Sequence, residues 1–451
     1  MADYSKVSKE LAEVIGYIKS DSLTDEQKET ITQQTLHYFD EYVSPGWLQY
    51  RKSVSTNSAV IEWTDEGNAA YGLYGEKFID CLGGFGIYTC GHRNPEIMDV
   101  LTAQLKHQAL HSQELLDPLR GYLAKAVADI TPGDLDKCFF TNGGAEAVEM
   151  ALKLARIATG GRWYITAVGA FHGKSAGAIS VGGKGAYREP YTPLVQQVMW
   201  VKYGDAQAIE DCISNLEAAG EKVAGVILEP IQGEAGVIIP PPGYFAAVRK
   251  SCDDHGVALI VDEIQTGMGR TGTMWRIEAE GIVPDIMTYG KAFGGGVMPI
   301  TGIICREHMW TQQLIDNPWL LGSPTFGGNP LACSAALATI KYMIDHDIPG
   351  QCATKGEQFL TGLSALAQQY PTVIDSVRGA GLMIAVEFTS AEVGYDIAKG
   401  LFSRGVMTAG TLVNAQCIRF EPPATITEGE IDEVLAKFGE ALVVTKESFN
   451  L

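Results

Sequence analysis

Long apolar runs are absent from this sequence. No stretch reaches the roughly 18 residues that a bilayer-spanning helix requires. Residues 1–28 carry interspersed charges and no apolar core of the kind a secretory leader needs, so a cytoplasmic protein with no membrane partner is expected. Cationic residues are also few. The 34 lysines and arginines stand against 54 acidic residues, for a formal charge of −20. That balance excludes nucleic acid as a natural partner, and an anionic ligand must be held by local cations and backbone dipoles. Paired cysteines are missing as well. The nine cysteines, from Cys81 to Cys417, form no C-x-x-C pair and have no histidine cluster nearby, so free, mostly buried thiols and no metal site are expected. There is no internal repeat, low-complexity stretch or charged tail.

What is present suits a large α/β enzyme. With 451 residues, 46% of them hydrophobic, the chain can bury a sizeable core and divide into two or three lobes. Residues 1–60 read as polar and helical, and 60–81 as short strands with turns at Glu66-Gly67 and Tyr74-Gly75. Between 137 and 306 apolar strand runs (138–141, 163–166, 223–228, 258–261, 286–289, 301–305) alternate with helical patterns, the signature of a mostly parallel sheet covered on both faces. From about 340 a second pattern begins: helix 341–344, strand 382–388, helix 393–404, strand 416–421. The expected division is an amino-terminal segment, 1–75, belonging to a small domain, a large domain, 76–335, and a carboxyl-terminal small domain, 336–451.

Lys291 stands in Tyr289-Gly290-Lys291-Ala292-Phe293-Gly294, just past the apolar pair Ile286-Met287. The carboxyl end of a buried strand is an unusual place for a solubilising charge, because lysine is almost never buried unless paired or chemically used. Desolvation there lowers its pKa and makes the amine a nucleophile able to form a Schiff base. In isolation a lysine snorkelling from a strand-to-loop turn would look the same. Upstream, Val257-Ala258-Leu259-Ile260-Val261-Asp262 is an apolar run ending in a carboxylate, the pattern of a buried parallel strand. Such strand ends line the ligand crevice of open α/β sheets. A lysine that binds pyridoxal phosphate needs a carboxylate partner for the pyridinium nitrogen, which Asp262 can supply; it can equally cap a helix.

Two further segments fit the same chemistry. Asn142-Gly143-Gly144-Ala145-Glu146 follows a strand and opens a helix over 147–158. Backbone N–H groups and the helix dipole there can hold a phosphate without a lysine, although a plain tight turn has the same composition. In Phe171-His172-Gly173-Lys174 a planar side chain can stack on a cofactor ring or fill the core.

Together these segments resemble the class III (ω-) aminotransferases of the fold type I pyridoxal-phosphate enzymes. In chain order the resemblance is carried by residues 142–146, Phe171-His172-Gly173, Glu229-Pro230-Ile231-Gln232-Gly233-Glu234, Asp262-Glu263-Ile264-Gln265-Thr266-Gly267, Gly290-Lys291, Thr325-Phe326-Gly327-Gly328-Asn329-Pro330 and Arg419-Phe420-Glu421-Pro422-Pro423. It runs from about residue 38 to the carboxyl end. Within the family the likeness is greatest to members that act on diamines, through segments 44–53, 81–87 and 110–120.

The resemblance implies a fold: a large domain with a mostly parallel central sheet, and a smaller α+β domain from both chain ends. It also implies pyridoxal 5'-phosphate as cofactor. Lys291 would carry the cofactor as a Schiff base and later shuttle a proton at the substrate carbon. Asp262 would pair with the ring nitrogen and Gln265 with the ring hydroxyl, while Phe171, by stacking, and His172 would contact the ring. Gly143, Gly144 and Ala145 would hold the phosphate through backbone N–H groups. Family members often carry a hydroxyl residue where Gly143 or Ala145 stands, and this chain forgoes that donor, worth about 0.5–1.5 kcal/mol. Thr325 would reach the phosphate of a neighbouring subunit, implying a homodimer with shared active sites, or a tetramer built from such dimers. Arg419 would grip the carboxylate of a 2-oxo acid acceptor, Glu234 would neutralise it while an amine donor is bound, and Glu229 would lie near the substrate. The expected activity is ping-pong transfer of a terminal amino group from a diamine, putrescine or cadaverine, to 2-oxoglutarate or pyruvate. The product would be an aminoaldehyde that can cyclise. An ω-amino acid donor of the 4-aminobutyrate, ornithine or β-alanine type is the alternative, and a racemase or aminomutase a more distant one.

Overall fold

The computed structural model describes residues 4–54 and 59–451. The chain forms two compact units, one running to Asp65 and including Ala70–Phe78, the other made of Glu66–Ala69 and Ile79–Leu451. In the first, helices Ser5–Lys19, Asp25–Tyr38 and Pro45–Tyr50 follow one another, as the polar composition suggests. The second of these starts at a capping box: Gln27 N–H donates to Thr24 Oγ1 at 3.2 Å and Thr24 N–H donates to Gln27 Oε1 at 2.8 Å. Tyr17, Ile31 and Leu73 form its small apolar centre.

The second unit is built on a seven-stranded sheet. Its strands are β1 (Leu135–Thr141), β2 (Trp163–Ala167), β3 (Val198–Val201), β4 (Val223–Leu228), β5 (Ala258–Asp262), β6 (Ile286–Tyr289) and β7 (Thr301–Arg306). They lie in the order β1-β7-β6-β5-β4-β2-β3. Strand β7 runs antiparallel to both its neighbours, and the other pairings are parallel. All residues of β4, β5 and β6 are buried, which is why continuous apolar runs rather than alternation mark β4 and β5 in the sequence. Helix α1 (Gly144–Thr159) buries Val148, Ala151, Leu152 and Ala155 on one face and stops at Gly160, whose φ of +70° makes a left-handed cap. This topology brings the carboxyl ends of β1, β2, β4, β5 and β6 to one edge.

A second sheet consists of β8 (Ile374–Ala380), β9 (Met383–Phe388), β10 (Ala409–Gly410) and β11 (Cys417–Phe420), ordered β8-β9-β11-β10 with antiparallel pairing throughout. Arg419 lies opposite Ala385 on one side and Ala409 on the other, so small neighbours leave room for its guanidinium. Six of the seven strands of the large sheet and two of the four strands of the small one lie where the sequence pattern places them.

Helix Pro330–Asp345 is much longer than the 341–344 stretch expected. It starts at Asn329, whose Oδ1 accepts the Ala332 N–H at 3.0 Å, and it carries the chain through residues 335 and 336, where the sequence places the domain boundary. Helix Ile348–Gln369 and strand β8 have no counterpart among the sequence expectations. All nine cysteines are free thiols, and all but Cys138 and Cys212 are buried. Among the described residues no helix is long and apolar enough to cross a membrane.

Candidate active site

Lys291 follows β6 by two residues and sits in a conformation that its neighbours impose. A Cβ on Gly290 would lie 2.7 Å from Thr301 Cγ2, so only glycine fits before it. Lys291 itself has φ +47°, a left-handed geometry that costs a non-glycine residue about 1–2 kcal/mol and concentrates at functional sites. Burial pushes its ammonium below the ordinary value of 10.5, and the charges of Glu421 and Glu234 restore only part of the loss.

Asp262 ends β5 and faces Thr288 across the β5–β6 pair. Its Oδ1 accepts from Thr288 Oγ1 at 2.8 Å and from the Ile264 N–H at 3.2 Å, and its Oδ2 lies 2.7 Å from His172 Nδ1. The local N–H contact closes a turn rather than capping a helix, since no helix follows Asp262; the other two lock the carboxylate's orientation. His172 is buried with its Nε2 unpartnered. Burial opposes charging that imidazole, but the hydrogen bond and charge of Asp262 outweigh it and raise its pKa above the ordinary value. His172 therefore reaches the carboxylate of Asp262.

The loop after β2 rests on helix α1. A Cβ on Gly173, whose φ is +114°, would lie 2.7 Å from the Ala145 Cβ, so glycine permits this approach. Half-buried Phe171 is pinned by its backbone, its N–H donating to Glu229 Oε1 at 2.9 Å. Glu229 Oε2 accepts from the Gly233 N–H at 3.2 Å, and burial pushes this carboxyl up to about 7. At the start of α1 the N–H groups of Asn142 and Gly143 both donate to Glu146 Oε2, at 2.8 and 3.2 Å. Gly143 thus spends its N–H within the chain. The N–H groups of Gly144 and Ala145 open the first turn, where an α-helix supplies no internal acceptor.

The remaining charges come from β11 and the loop after β4. Arg419 is fully buried, with Nη2 2.8 Å from Glu234 Oε1 and Nε 3.6 Å from Glu421 Oε2. The Glu234 contact lies off the N–H direction and the Glu421 contact is too long, so Nε, Nη1 and Nη2 make no hydrogen bond. Burial works against the guanidinium's charge, and the two carboxylates more than compensate. Glu234 is fixed from its other side by the Leu412 N–H, 2.9 Å from Oε2. Gln265 Nε2 donates to Glu421 Oε1 at 2.9 Å.

A half-buried lysine of lowered pKa, a locked carboxylate and open helix N–H groups at one sheet edge are what a phosphorylated pyridine aldehyde requires. Residues 51–442 match the family model of the class-III aminotransferases. The chain belongs to that family. Solved structures agree. An ornithine aminotransferase from Toxoplasma gondii is 26% identical with a TM-score of 0.83, over 99% of this chain and 100% of that one. An (S)-enantioselective ω-transaminase from Thermomicrobium roseum is 26% identical with a TM-score of 0.83, over 92% and 98%. A pyridoxal-phosphate-bound amine transaminase from an uncultivated Pseudomonas species is 28% identical with a TM-score of 0.78, over 88% and 98%. This class-III aminotransferase is accordingly a pyridoxal-phosphate-dependent transaminase of fold type I.

The contacts form three sets: Asp262 with His172 and Thr288, Arg419 with Glu234, Glu421 and Gln265, and Glu229 with the backbone of Phe171 and Gly233; Lys291 feels the charges of Glu421, Glu234, Arg419 and Asp262. Thr325 stands elsewhere, in a cavity of about 910 Å³ that it shares with His111, Gln113 and Arg120, and its carbonyl accepts from Gln113 Nε2. Three contributors escaped the sequence reading. Thr288 orients Asp262, Phe85 lies with its ring 5.9 Å from the Arg419 guanidinium, and Glu421 joins Gln265 to Arg419. The motif around Glu421 was visible, but nothing in it distinguished this residue from its neighbours.

Proposed function

We propose that this aminotransferase moves the terminal amino group of a diamine, of the putrescine or cadaverine type, to 2-oxoglutarate or pyruvate in a ping-pong cycle. The observation that carries this reading is Glu234 laid against buried Arg419 at 2.8 Å. With the guanidinium neutralised, the site accepts a donor that has no carboxylate. Once Glu234 moves aside, the same guanidinium, its N–H groups free of hydrogen bonds, can grip an oxo acid's carboxylate. The likeness of segments 44–53, 81–87 and 110–120 to bacterial putrescine aminotransferase supports the diamine.

Bound pyridoxal phosphate supplies an electron sink for the substrate's C–H electrons. Lys291 would hold it covalently, and its amine, when free, would carry the proton at the amine-bearing carbon. Asp262, locked by Thr288 and His172, keeps a proton on the ring nitrogen. Gly144 and Ala145 hold the phosphate with their N–H groups at the positive end of α1, Gly143 serving instead to seat Glu146. Phe171 backs the ring, its backbone pinned by Glu229, and Gln265 meets the ring hydroxyl.

An ω-amino acid donor is the second reading, favoured by the likeness to an ornithine aminotransferase. It requires the donor's distant carboxylate to be held by a group other than Arg419, which Glu234 masks in that half. Turnover of a panel of diamines and ω-amino acids with each oxo acid decides between the two. The diamine reading predicts higher kcat/KM for diamines, and it fails if 4-aminobutyrate or ornithine is preferred. We also infer a homodimer in which Thr325 serves the neighbouring subunit's phosphate. The exposed Leu115, Leu116, Trp319 and Phe326 near it support self-association. Light scattering that finds a monomer would oppose this.

A further inference from the structure

Glu421 has no role in the cycle above, although it is more enclosed than Asp262, Glu229 or Glu234. It directly follows β11. Its N–H donates to the Cys81 carbonyl at 2.8 Å, and a Cβ on Gly83 would lie 2.0 Å from its own carbonyl oxygen. The backbone is therefore clamped from both directions, and the side chain has a defined course. It accepts from Gln265 Nε2 and faces Arg419 Nε. A Cβ on Gly86 would stand 3.7 Å from Lys291 Cδ, 3.8 Å from Gln265 Cγ and 3.9 Å from Glu421 Oε1, so these three side chains converge on one point of the cleft wall.

Arg419 thus meets two carboxylates, Glu234 and Glu421, and the trio is formally anionic. Lys291 is not counted in this set, because its amine is the group that would hold the cofactor. An excess buried carboxylate is costly unless a cation completes the set. A donor whose far end is an ammonium supplies that cation, whereas a donor ending in a carboxylate adds to the excess. We propose that Glu421 is a specificity-determining residue, a standing second counter-charge that keeps the Arg419 end of the site anionic and so selects donors with a cationic far end. This rests on the diamine reading and names the residue responsible for it. Glu421 has a second effect. When Glu234 yields to the oxo acid, Arg419 keeps one buried partner, and its grip on that carboxylate is moderated.

The test is Glu421→Gln in the holoenzyme, which keeps the size and the acceptor for Gln265 while removing the charge. Steady-state kinetics with 1,4-diaminobutane, butylamine and 4-aminobutyrate are run beside calorimetric binding of glutarate, an unreactive dicarboxylate. The expected result is a loss of roughly tenfold or more in kcat/KM for the diamine, mainly through KM. The 4-aminobutyrate value should be unchanged or higher, and glutarate should bind more tightly. An unchanged ratio between diamine and 4-aminobutyrate, with unchanged glutarate binding, would overturn the proposal. Should the variant not fold, the wild-type comparison still decides: equal kcat/KM for the diamine and butylamine would show that the far ammonium is not recognised. If wild-type enzyme turns over no diamine at all, the functional reading fails instead, and the glutarate comparison still scores Glu421.

Discussion

Replacing Glu234 with glutamine removes a negative charge 2.8 Å from Arg419 Nη2, while the amide oxygen can still accept the Leu412 N–H. The fold is therefore expected to survive. A diamine's far ammonium held about 6 Å from the unmasked guanidinium meets a repulsion of about 2.8 kcal/mol at an effective dielectric constant of ~20, roughly a hundredfold in affinity. Glu421, 3.6 Å from Arg419 Nε, remains in place and offsets part of this. The expected loss in the amine half-reaction is thus between about tenfold and a hundredfold, appearing in the concentration dependence rather than in the limiting rate. The oxo acid no longer has to displace a carboxylate, so its half-reaction should be unchanged or faster. Single-turnover stopped-flow, following cofactor absorbance one half at a time, separates the two. Equal losses in both halves would mean that Glu234 is a structural ion partner, and the account of dual specificity would fall.

Other substitutions probe other parts of the network. Lys291→Ala should retain cofactor but lose turnover, and borohydride should fix the cofactor to Lys291 in the wild type; an adduct mapped to Lys174 or another lysine would reject the assignment. Asp262→Asn keeps the shape and the Thr288 contact, so it should slow the amine half-reaction by several orders of magnitude with little change in Tm; a near-wild-type rate would remove Asp262 from the electrostatics. His172 has its folded pKa raised above 6.5, so the charged His172–Asp262 pair stabilises fully below that value and the contribution fades as pH rises through the higher folded value. His172→Phe should accordingly lower Tm relative to wild type more at about pH 6 than at about pH 9, and an equal gap at both would show that the imidazole stays neutral.

Much of this was legible in the sequence because the parallel strands are buried on both faces. Strands β4 and β5 read as apolar runs and β6 opens on the apolar pair Ile286-Met287, and the functional groups sit at their ends. Helix Ile348–Gln369 was illegible for the opposite reason. It contains Gly350, Gly356 and Gly362, which weigh against a helix on propensity. Two of these have packing reasons: a Cβ on Gly356 would lie 2.1 Å from the Gly381 carbonyl oxygen, and one on Gly362 would lie 2.3 Å from Leu435 Cδ1. Close approach of a neighbouring element, invisible from local sequence, decided the residue type. Strand β3 is short and lies at the sheet edge with two of its four residues exposed, so it carried no clear pattern. In the site, Lys291 and Asp262 announced themselves through charge placed at strand ends. The partner sets of His172 and Glu421 did not, because each is assembled from segments far apart in the chain.

The most direct test of the central claim follows the nitrogen. Wild-type enzyme is given 1,4-diaminobutane labelled with ¹⁵N at both ends, together with 2-oxoglutarate and, in parallel, pyruvate, and products are read by mass spectrometry. A diamine aminotransferase forms one labelled amino acid per diamine consumed, together with a labelled aminoaldehyde or its cyclic imine, with neither ammonia release nor oxygen uptake. Diamine consumption without label in the amino acid, or no diamine consumption while 4-aminobutyrate or ornithine is used freely, would contradict the account.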